Sequence, residues 1–437
     1  MSDRATVIGA GLAGSEAAWQ LAQRGFEVDL YEMRPESMTP AHHSDKPAEL
    51  VCSNSLRSDS LTNAAGLLKE ELRYLDSLII SAAEKTAVPA GNALAVDREK
   101  FPEKVLEKLQ NHDLISLVRR EIKDIPDTDP LIIATGPLTS EPLAESIKEL
   151  TGEDYLYFYD AAAPIIEADS IDYEKTFFAS RYDRESDDYL NCPMDEKQFM
   201  DFWEFLLGAE CNLPRDFEDE NYFESCLPIE VMARRGRKSL LYGPLKPVGL
   251  EDPETGETHH AVVQLRRDNR QETLFNLVGF QTRLKWPEQD RMLEFIPGLE
   301  SARIMRYGVM HRNTYINSPG LLTSFYRLRG ERPIFFAGQL TGVEGYVEST
   351  SSGLVAGINC ARLLAGEDYL AFPESTATGA LAAYISDPSH ENLQPMNVNF
   401  GLLSPLEEDI DDRQERRRKR SEQALAELKD FIEQKGI

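Results

Sequence analysis

No run of eighteen consecutive apolar residues occurs in this sequence, so no segment has the length and hydropathy of a membrane-crossing helix. No two cysteines stand in C-x-x-C or C-x-x-x-x-C spacing, which removes the usual thiol–disulfide redox motif and the commonest zinc pattern. The five cysteines, at positions 52, 192, 211, 226 and 360, are odd in number and scattered. That excludes a secreted-type disulfide framework and leaves thiols. There is no room for a charged and apolar leader before the first strand, so a cytoplasmic location is expected. Basic charge is also scarce: 47 lysines and arginines stand against 75 aspartates and glutamates, a net charge of −28. A protein that coats nucleic acid by bulk attraction is thereby excluded, because phosphate affinity needs an excess of Lys and Arg.

The charge that is present is uneven. From Glu141 to Glu224 there are 24 acidic and six basic residues. Cations gather afterwards, as Arg234, Arg235, Arg237, Lys238 and Lys246 around the single acid Glu230, and as six arginines from Arg303 to Arg332 beside Glu331. Either these stretches form a basic face for an anionic partner or they pair with the acidic segment; charge patterning leaves both open. The Arg416–Arg420 run lies on a charged C-terminal helix and reads as a solvated face.

The 437 residues are enough for two or three domains. Ala5–Ile8 reads as a buried strand, Ser15–Arg24 as an amphipathic helix stopped by Gly25, and Glu27–Glu32 as a second strand, which makes one βαβ unit. Apolar spacing predicts helices over Leu67–Ser81 and Asp97–Asn111, then a buried strand within Leu131–Gly136. From Tyr155 to Phe217 the βαβ rhythm gives way to aromatic and acidic residues, as in an inserted domain. The last third returns to strand, glycine loop and a helix over Ser351–Leu364. The expected fold is α/β, a Rossmann-like domain in two parts, residues 1–170 and 303–437, with an α+β insertion over 171–302.

Gly9, Gly11 and Gly14 stand in G-x-G-x-x-G spacing between the first strand and the helix, with Ala10, Leu12 and Ala13 completing the loop. The first glycine permits the tight turn, the second lets backbone amides approach a diphosphate, and the third lets helix pack on strand. Glu32, ending the second strand, is placed to accept from a ribose diol. These residues leave NAD and FAD open, because both carry an adenosine diphosphate half.

Two further strings narrow the choice. "LIIATG", ending at Gly136, resembles the second motif of glutathione-reductase-type flavoproteins, and "FFAGQLTGVEG", containing Gly338 and Gln339, resembles their C-terminal flavin motif. The resemblance implies FAD, with Gly338 and nearby amides beside the flavin and the helix from Ser351 pointing its N-terminus at the ring. Two cysteines stand in polar company: Cys52 in "AELVCSNSLRSDS", close to Arg57, and Cys226 in "YFESCLPIEVMARRGRKS", before the basic cluster. Nearby positive charge favours a thiolate, so each is either a reactive thiol or an inert small side chain. Cys192, Cys211 and Cys360 lack such neighbours and read as structural.

The strings "VIGAGLAGSEAAWQLA", "ELVCSNSLRSD", "ESCLPIEVMARRG", "LLYGPLKPVGL", "VGFQTRLKWPEQ" and "FFAGQLTGVEGYVES" run from end to end of the chain. Together they resemble the TrmFO family of folate- and FAD-dependent tRNA (uracil-5-)-methyltransferases. GidA, a longer flavoprotein that modifies wobble uridines, is the related alternative, and a flavin thiol–disulfide oxidoreductase the remoter one. The TrmFO resemblance implies methylation of a T-loop uridine of tRNA, with methylenetetrahydrofolate as carbon donor and NAD(P)H as reductant. It implies Cys226 as the nucleophile at uracil C6 and Cys52 as the base at C5, two roles that are open to exchange. It implies a methylene carried on N5 of the reduced flavin, and tRNA phosphates held by Arg234, Arg235, Arg237, Lys238 and Lys246. Tyr346 is expected either to stack on flavin or folate or to pack in the core. No metal, membrane or protein partner is expected.

Overall fold

Arg4–Ile8 buries every residue but its first, the pattern of a strand covered on both faces. The computed structural model in which this is seen describes residues 3–152, 156–181, 187–212, 227–253, 255–390, 393–406, 408 and 410–437; for 156–160, 311 and 312 it describes the backbone alone. The strand is central in a five-stranded parallel sheet, ordered Ile334–Phe336, Leu131–Ile133, Arg4–Ile8, Glu27–Glu32, Ile115–Arg119. Parallel strands need crossovers, and the helix Leu12–Gln23 supplies the first. It starts three residues earlier than its apolar pattern predicts, because the Gly11 carbonyl already accepts the Ser15 N–H at 2.9 Å.

The long helix Tyr346–Ala365 lies directly against Leu12–Gln23. Small residues permit this approach. A Cβ at Gly357 would stand 2.7 Å from the Ala17 carbonyl oxygen, and one at Gly353 would overlap that of Ala13. The crossing brings the N-termini of both helices to one end of the sheet.

The single helix expected over Leu67–Ser81 is two, Ala64–Tyr74 and Leu78–Lys85. The chain breaks at Asp76, in the left-handed region at φ 53°, and the Ser77 hydroxyl accepts the Ile80 N–H at 3.2 Å as a new N-cap. Leu68, Leu72, Leu75 and Leu78 are all buried, so the leucine spacing runs through the break without marking it. Buried carboxylates fix the pieces. Glu16 accepts from Ser77 Oγ at 2.7 Å and from the Ile79 N–H at 3.1 Å. Glu71 accepts from the Ala377 and Thr378 N–H groups at 2.7 and 2.8 Å, anchoring the start of Ala377–Ser386. Likewise Asp97 Oδ1 accepts from the Glu99 and Lys100 amides, both at 3.0 Å, so the next helix runs Lys100–Gln110.

A six-stranded antiparallel-paired sheet forms the second body, ordered Phe177–Phe178, Tyr189–Met194, Ala261–Arg267, Leu274–Leu277, Ile165–Glu167, Ile304–Arg306. Its core, with Leu190, Phe202, Phe275 and Leu284, comes from a stretch lying between the two that build the first core. A buried ion pair, Arg98 Nε to Asp268 at 2.9 Å, ties the bodies together. No helix among the described residues is long and apolar enough to cross a membrane. On the C-terminal helix Arg413–Lys435, Arg418 pairs with Glu415 and Glu422, and Lys419 with Glu408, as expected of a solvated charged face.

Candidate active site

A cleft opens at the carboxyl ends of the parallel strands, where ligands of such sheets bind. The glycine loop forms one wall. Gly9, at φ 98°, makes the turn, and a Cβ there would meet the Ala134 carbonyl oxygen at 2.6 Å. A Cβ at Gly14 would overlap the Gly9 carbonyl oxygen, so helix and strand touch at that point. Gly11 differs: a Cβ there meets nothing within 4 Å, and the residue lines the cleft with Leu12 and Ala13. The first helix has no side-chain cap, so its leading amides are available to an anion in the space beside Gly11.

Glu32 stands at the same wall, buried. Its Oε2 accepts the Ala10 N–H at 3.1 Å and its Oε1 accepts Arg34 Nε at 2.8 Å. Burial opposes its ionisation, but Arg34 and the two amide donors outweigh it and hold the carboxyl below the usual carboxylate range. An ionised acceptor at the end of the second strand suits a ribose diol, and the residues present fit an adenine dinucleotide.

On the opposite wall lie Gly136, Gly338, Gln339, Tyr346 and Ser349. The helix there begins at Tyr346, five residues before its apolar pattern predicts, so Tyr346, not Ser351, stands at its N-terminus. The Gly338 N–H is already engaged, donating to Ser352 Oγ at 2.7 Å, and the Gln339 side chain pairs with Glu344. Gly338 therefore lines the cleft with its own N–H already spent within the protein.

Cys52 follows directly on the cleft-lining residues Glu49 and Val51. Ala48 begins this segment by donating its N–H to the Ala10 carbonyl at 2.8 Å, so glycine loop and cysteine loop are joined. The Tyr346 hydroxyl accepts the N–H groups of Cys52 at 2.9 Å and Ser53 at 3.2 Å. Arg98 donates to the Leu50 carbonyl at 2.6 Å and the Cys52 carbonyl at 3.5 Å. Arg266 reaches from the second body to Asn54 Oδ1 at 2.9 Å and Ser53 Oγ at 2.8 Å. The thiol is half-buried and donates to the Ala161 carbonyl at 3.7 Å. Residues distant in sequence thus hold the backbone of this loop, and with it the sulfur, in place.

Arg57, read from sequence as a charge beside Cys52, instead pairs with the buried carboxylate of Glu348. Arg98 and Arg266 are the cations at the loop, and sequence reading passed over both because they stand 46 and 214 residues from Cys52 in the chain. Cys192 and Cys360 are buried in apolar surroundings that push their thiols well up, and burial raises Cys211 as well, in keeping with structural roles. Cys226 lies outside the described residues. Downstream of it, Arg234, Arg235, Arg237 and Lys238 are exposed on the short helices Ile229–Arg235 and Arg237–Leu241. Arg237 lies 5.3 Å over the Trp203 ring, and Lys246 is half-buried.

A parallel sheet with a glycine-lined cleft at its switch point and an acidic residue ending the second strand is the architecture of a Rossmann-like FAD-binding domain. The family model described as glucose inhibited division protein A matches residues 4–368. The methylenetetrahydrofolate–tRNA-(uracil-5-)-methyltransferase TrmFO of Anoxybacillus flavithermus is 59% identical over 427 residues, covering 98% of this chain and 99% of that protein. The protein of that name from Listeria welshimeri is 59% identical over 434 residues, covering 99% of this chain and all of its own length. A solved structure of Aquifex aeolicus GidA shares the fold, with a TM-score of 0.70 at 16% identity over 97% of this chain and 73% of its own. The chain belongs to the TrmFO family, within the broader GidA group.

Proposed function

We propose that this chain is a folate- and FAD-dependent tRNA (uracil-5-)-methyltransferase that makes 5-methyluridine in the T-loop. The observation that carries this reading is 59% identity over 98% of the chain to a protein of that name. The cleft supports it: the amides behind Gly11 would hold the cofactor diphosphate, Glu32 a ribose, and the wall from Gly136 to Tyr346 the flavin end. When bound, FAD supplies both the one-carbon carrier and the reducing equivalents, drawn from methylenetetrahydrofolate and NAD(P)H.

The chain's own residues must activate the pyrimidine. Uracil C5 is a poor nucleophile, and addition of a thiolate to C6 turns it into an enolate-like carbon. Cys226 is assigned that addition. Once C5 has taken its new carbon, loss of the C5 proton re-forms the C5–C6 double bond and expels the Cys226 sulfur. Cys52 is assigned the proton: its loop is tethered beside the cleft, and a base needs a fixed position before it needs a tuned pKa. The exposed cations at 234, 235, 237 and 238, with Lys246, would bind tRNA phosphates, while the net charge of −28 limits unspecific association.

The test is incubation of the purified protein with undermodified tRNA, labelled methylenetetrahydrofolate and NADPH, followed by RNA digestion. Labelled 5-methyluridine supports the reading. Label in a wobble nucleoside would favour a GidA-type activity, for which the match over residues 4–368 is the supporting observation. No label in RNA would favour an oxidoreductase. Neutralising the five cations should weaken tRNA binding and flatten its salt dependence.

A further inference from the structure

Six arginines crowd the segment from 303 to 332, and the proposed chemistry uses none of them. Arg306 is distinctive. It ends the edge strand Ile304–Arg306 of the six-stranded sheet, half-buried. Three residues on, the Val309 carbonyl accepts the Ala162 N–H at 2.8 Å, and the carbonyl of neighbouring Ala161 takes the Cys52 thiol. The strand therefore runs beside the floor under Cys52, at the seam between the two bodies.

The charges around Arg306 are His43, Glu49, Arg98, Glu99 and Asp268. Two of the acids already have cations, Glu49 accepting Arg34 Nη1 at 3.3 Å and Asp268 taking Arg98 Nε at 2.9 Å, and the third, Glu99, is exposed to solvent. The Arg306 side chain makes no hydrogen bond or ion pair among the described residues, and its Nη1 is buried without a partner. Burial, and then Arg98, pull its pKa down and outweigh the opposing pulls of Asp268, Glu49 and Glu99, none of which touches it. A buried guanidinium nitrogen without an acceptor is costly, and such groups are normally matched by a partner or a ligand.

We propose that Arg306 binds a carboxylate of the glutamyl tail of the folate co-substrate, holding the donor in the seam beside Cys52. This rests on the folate-dependent reading above. A carboxylate matches the planar fork of a guanidinium through two parallel hydrogen bonds. A tRNA phosphate is the poorer candidate, because the exposed cations at 234–238 already offer an outward face and Arg306 is recessed. The diphosphate of a nicotinamide dinucleotide is poorer too, because it calls for a run of backbone amides, and no second G-x-G-x-x-G stands in the chain.

The experiment compares tetrahydrofolate with tetrahydropteroate, which lacks the glutamate, by calorimetric titration of the FAD-loaded protein as wild type, R306Q and R306K. Wild type should bind tetrahydrofolate about tenfold to hundredfold more tightly than tetrahydropteroate, the worth of one charged contact. R306Q should abolish that difference and leave tetrahydropteroate binding unchanged, with R306K between the two. FAD content, melting temperature, the tRNA Kd with its salt slope, and the KM for NADPH should stay as in wild type. Equal affinity of wild type for both ligands, or an equal loss of both in R306Q, would overturn the assignment. So would a shift confined to tRNA or to NADPH, which would transfer Arg306 to a phosphate. If wild type binds neither pterin, the folate-dependent reading itself falls.

Discussion

Two glycines three residues apart should separate binding from folding. At Gly11 the backbone is at φ −71°, which any residue adopts, and an added Cβ meets no protein atom within 4 Å. Gly11→Val should therefore cost only the helix N-cap preference, about 0.5–1 kcal/mol. Its methyl groups would fill the space through which the leading amides reach a diphosphate. Losing about two amide contacts to a charged group, at about 1.5 kcal/mol or more each, weakens FAD by at least about a hundredfold. At Gly14 a Cβ would overlap the Gly9 carbonyl oxygen, so Gly14→Ala forces the helix off the strand. Overpacking of that kind costs about 3 kcal/mol, roughly 5–10 °C in Tm. The assays are flavin absorbance of the purified proteins, FAD titration, and thermal unfolding of the apoproteins. Gly11→Val should come off the column colourless with a nearly normal apoprotein Tm, and Gly14→Ala should melt early. A yellow Gly11→Val with wild-type FAD affinity would refute the placement of the diphosphate, and a Gly14→Ala of unchanged stability would refute the packing argument.

Tyr346→Phe removes the acceptor of the Cys52 and Ser53 N–H groups, about 2 kcal/mol of local order. Alkylation of Cys52 should speed up and methyl transfer fall about tenfold at unchanged FAD content; unchanged alkylation would count against the tether. Asp268→Asn leaves the buried Arg98 uncompensated and should cost about 3–5 kcal/mol in denaturant unfolding, since one partner of a buried pair is removed. Glu71 is pushed up to about 7 by burial, against its three hydrogen bonds from Ala377 and Thr378. The folded state thus holds this proton more tightly than the unfolded chain does, so the stability it contributes is present in full below about pH 4.5 and lost as pH rises through about 7. The shift corresponds to about 3 kcal/mol in order of magnitude. Tm should accordingly fall between pH 5 and 8 in wild type and less so in Glu71→Gln; parallel pH profiles would contradict the assignment.

Much of this protein is written locally. The strand, glycine loop and helix at the N-terminus follow from a buried apolar run, three glycines and 3.6-residue periodicity, and Glu32 falls at the strand end where that unit requires an acid. The turn at Gly9 and the close packing at Gly14 were legible for the same reason, since turn geometry and close approach are properties of neighbouring residues. The break at Asp76 was not, because the buried leucine stripe serves two helices as well as one. The setting of Cys52 was legible least. Tyr346 reaches it across 294 residues, the Arg98–Asp268 pair spans 170, and Arg57 turns away to Glu348. Such pairings depend on where two helices cross and how two bodies dock, and side-chain periodicity, which repeats within a few residues, carries no record of a contact made across hundreds.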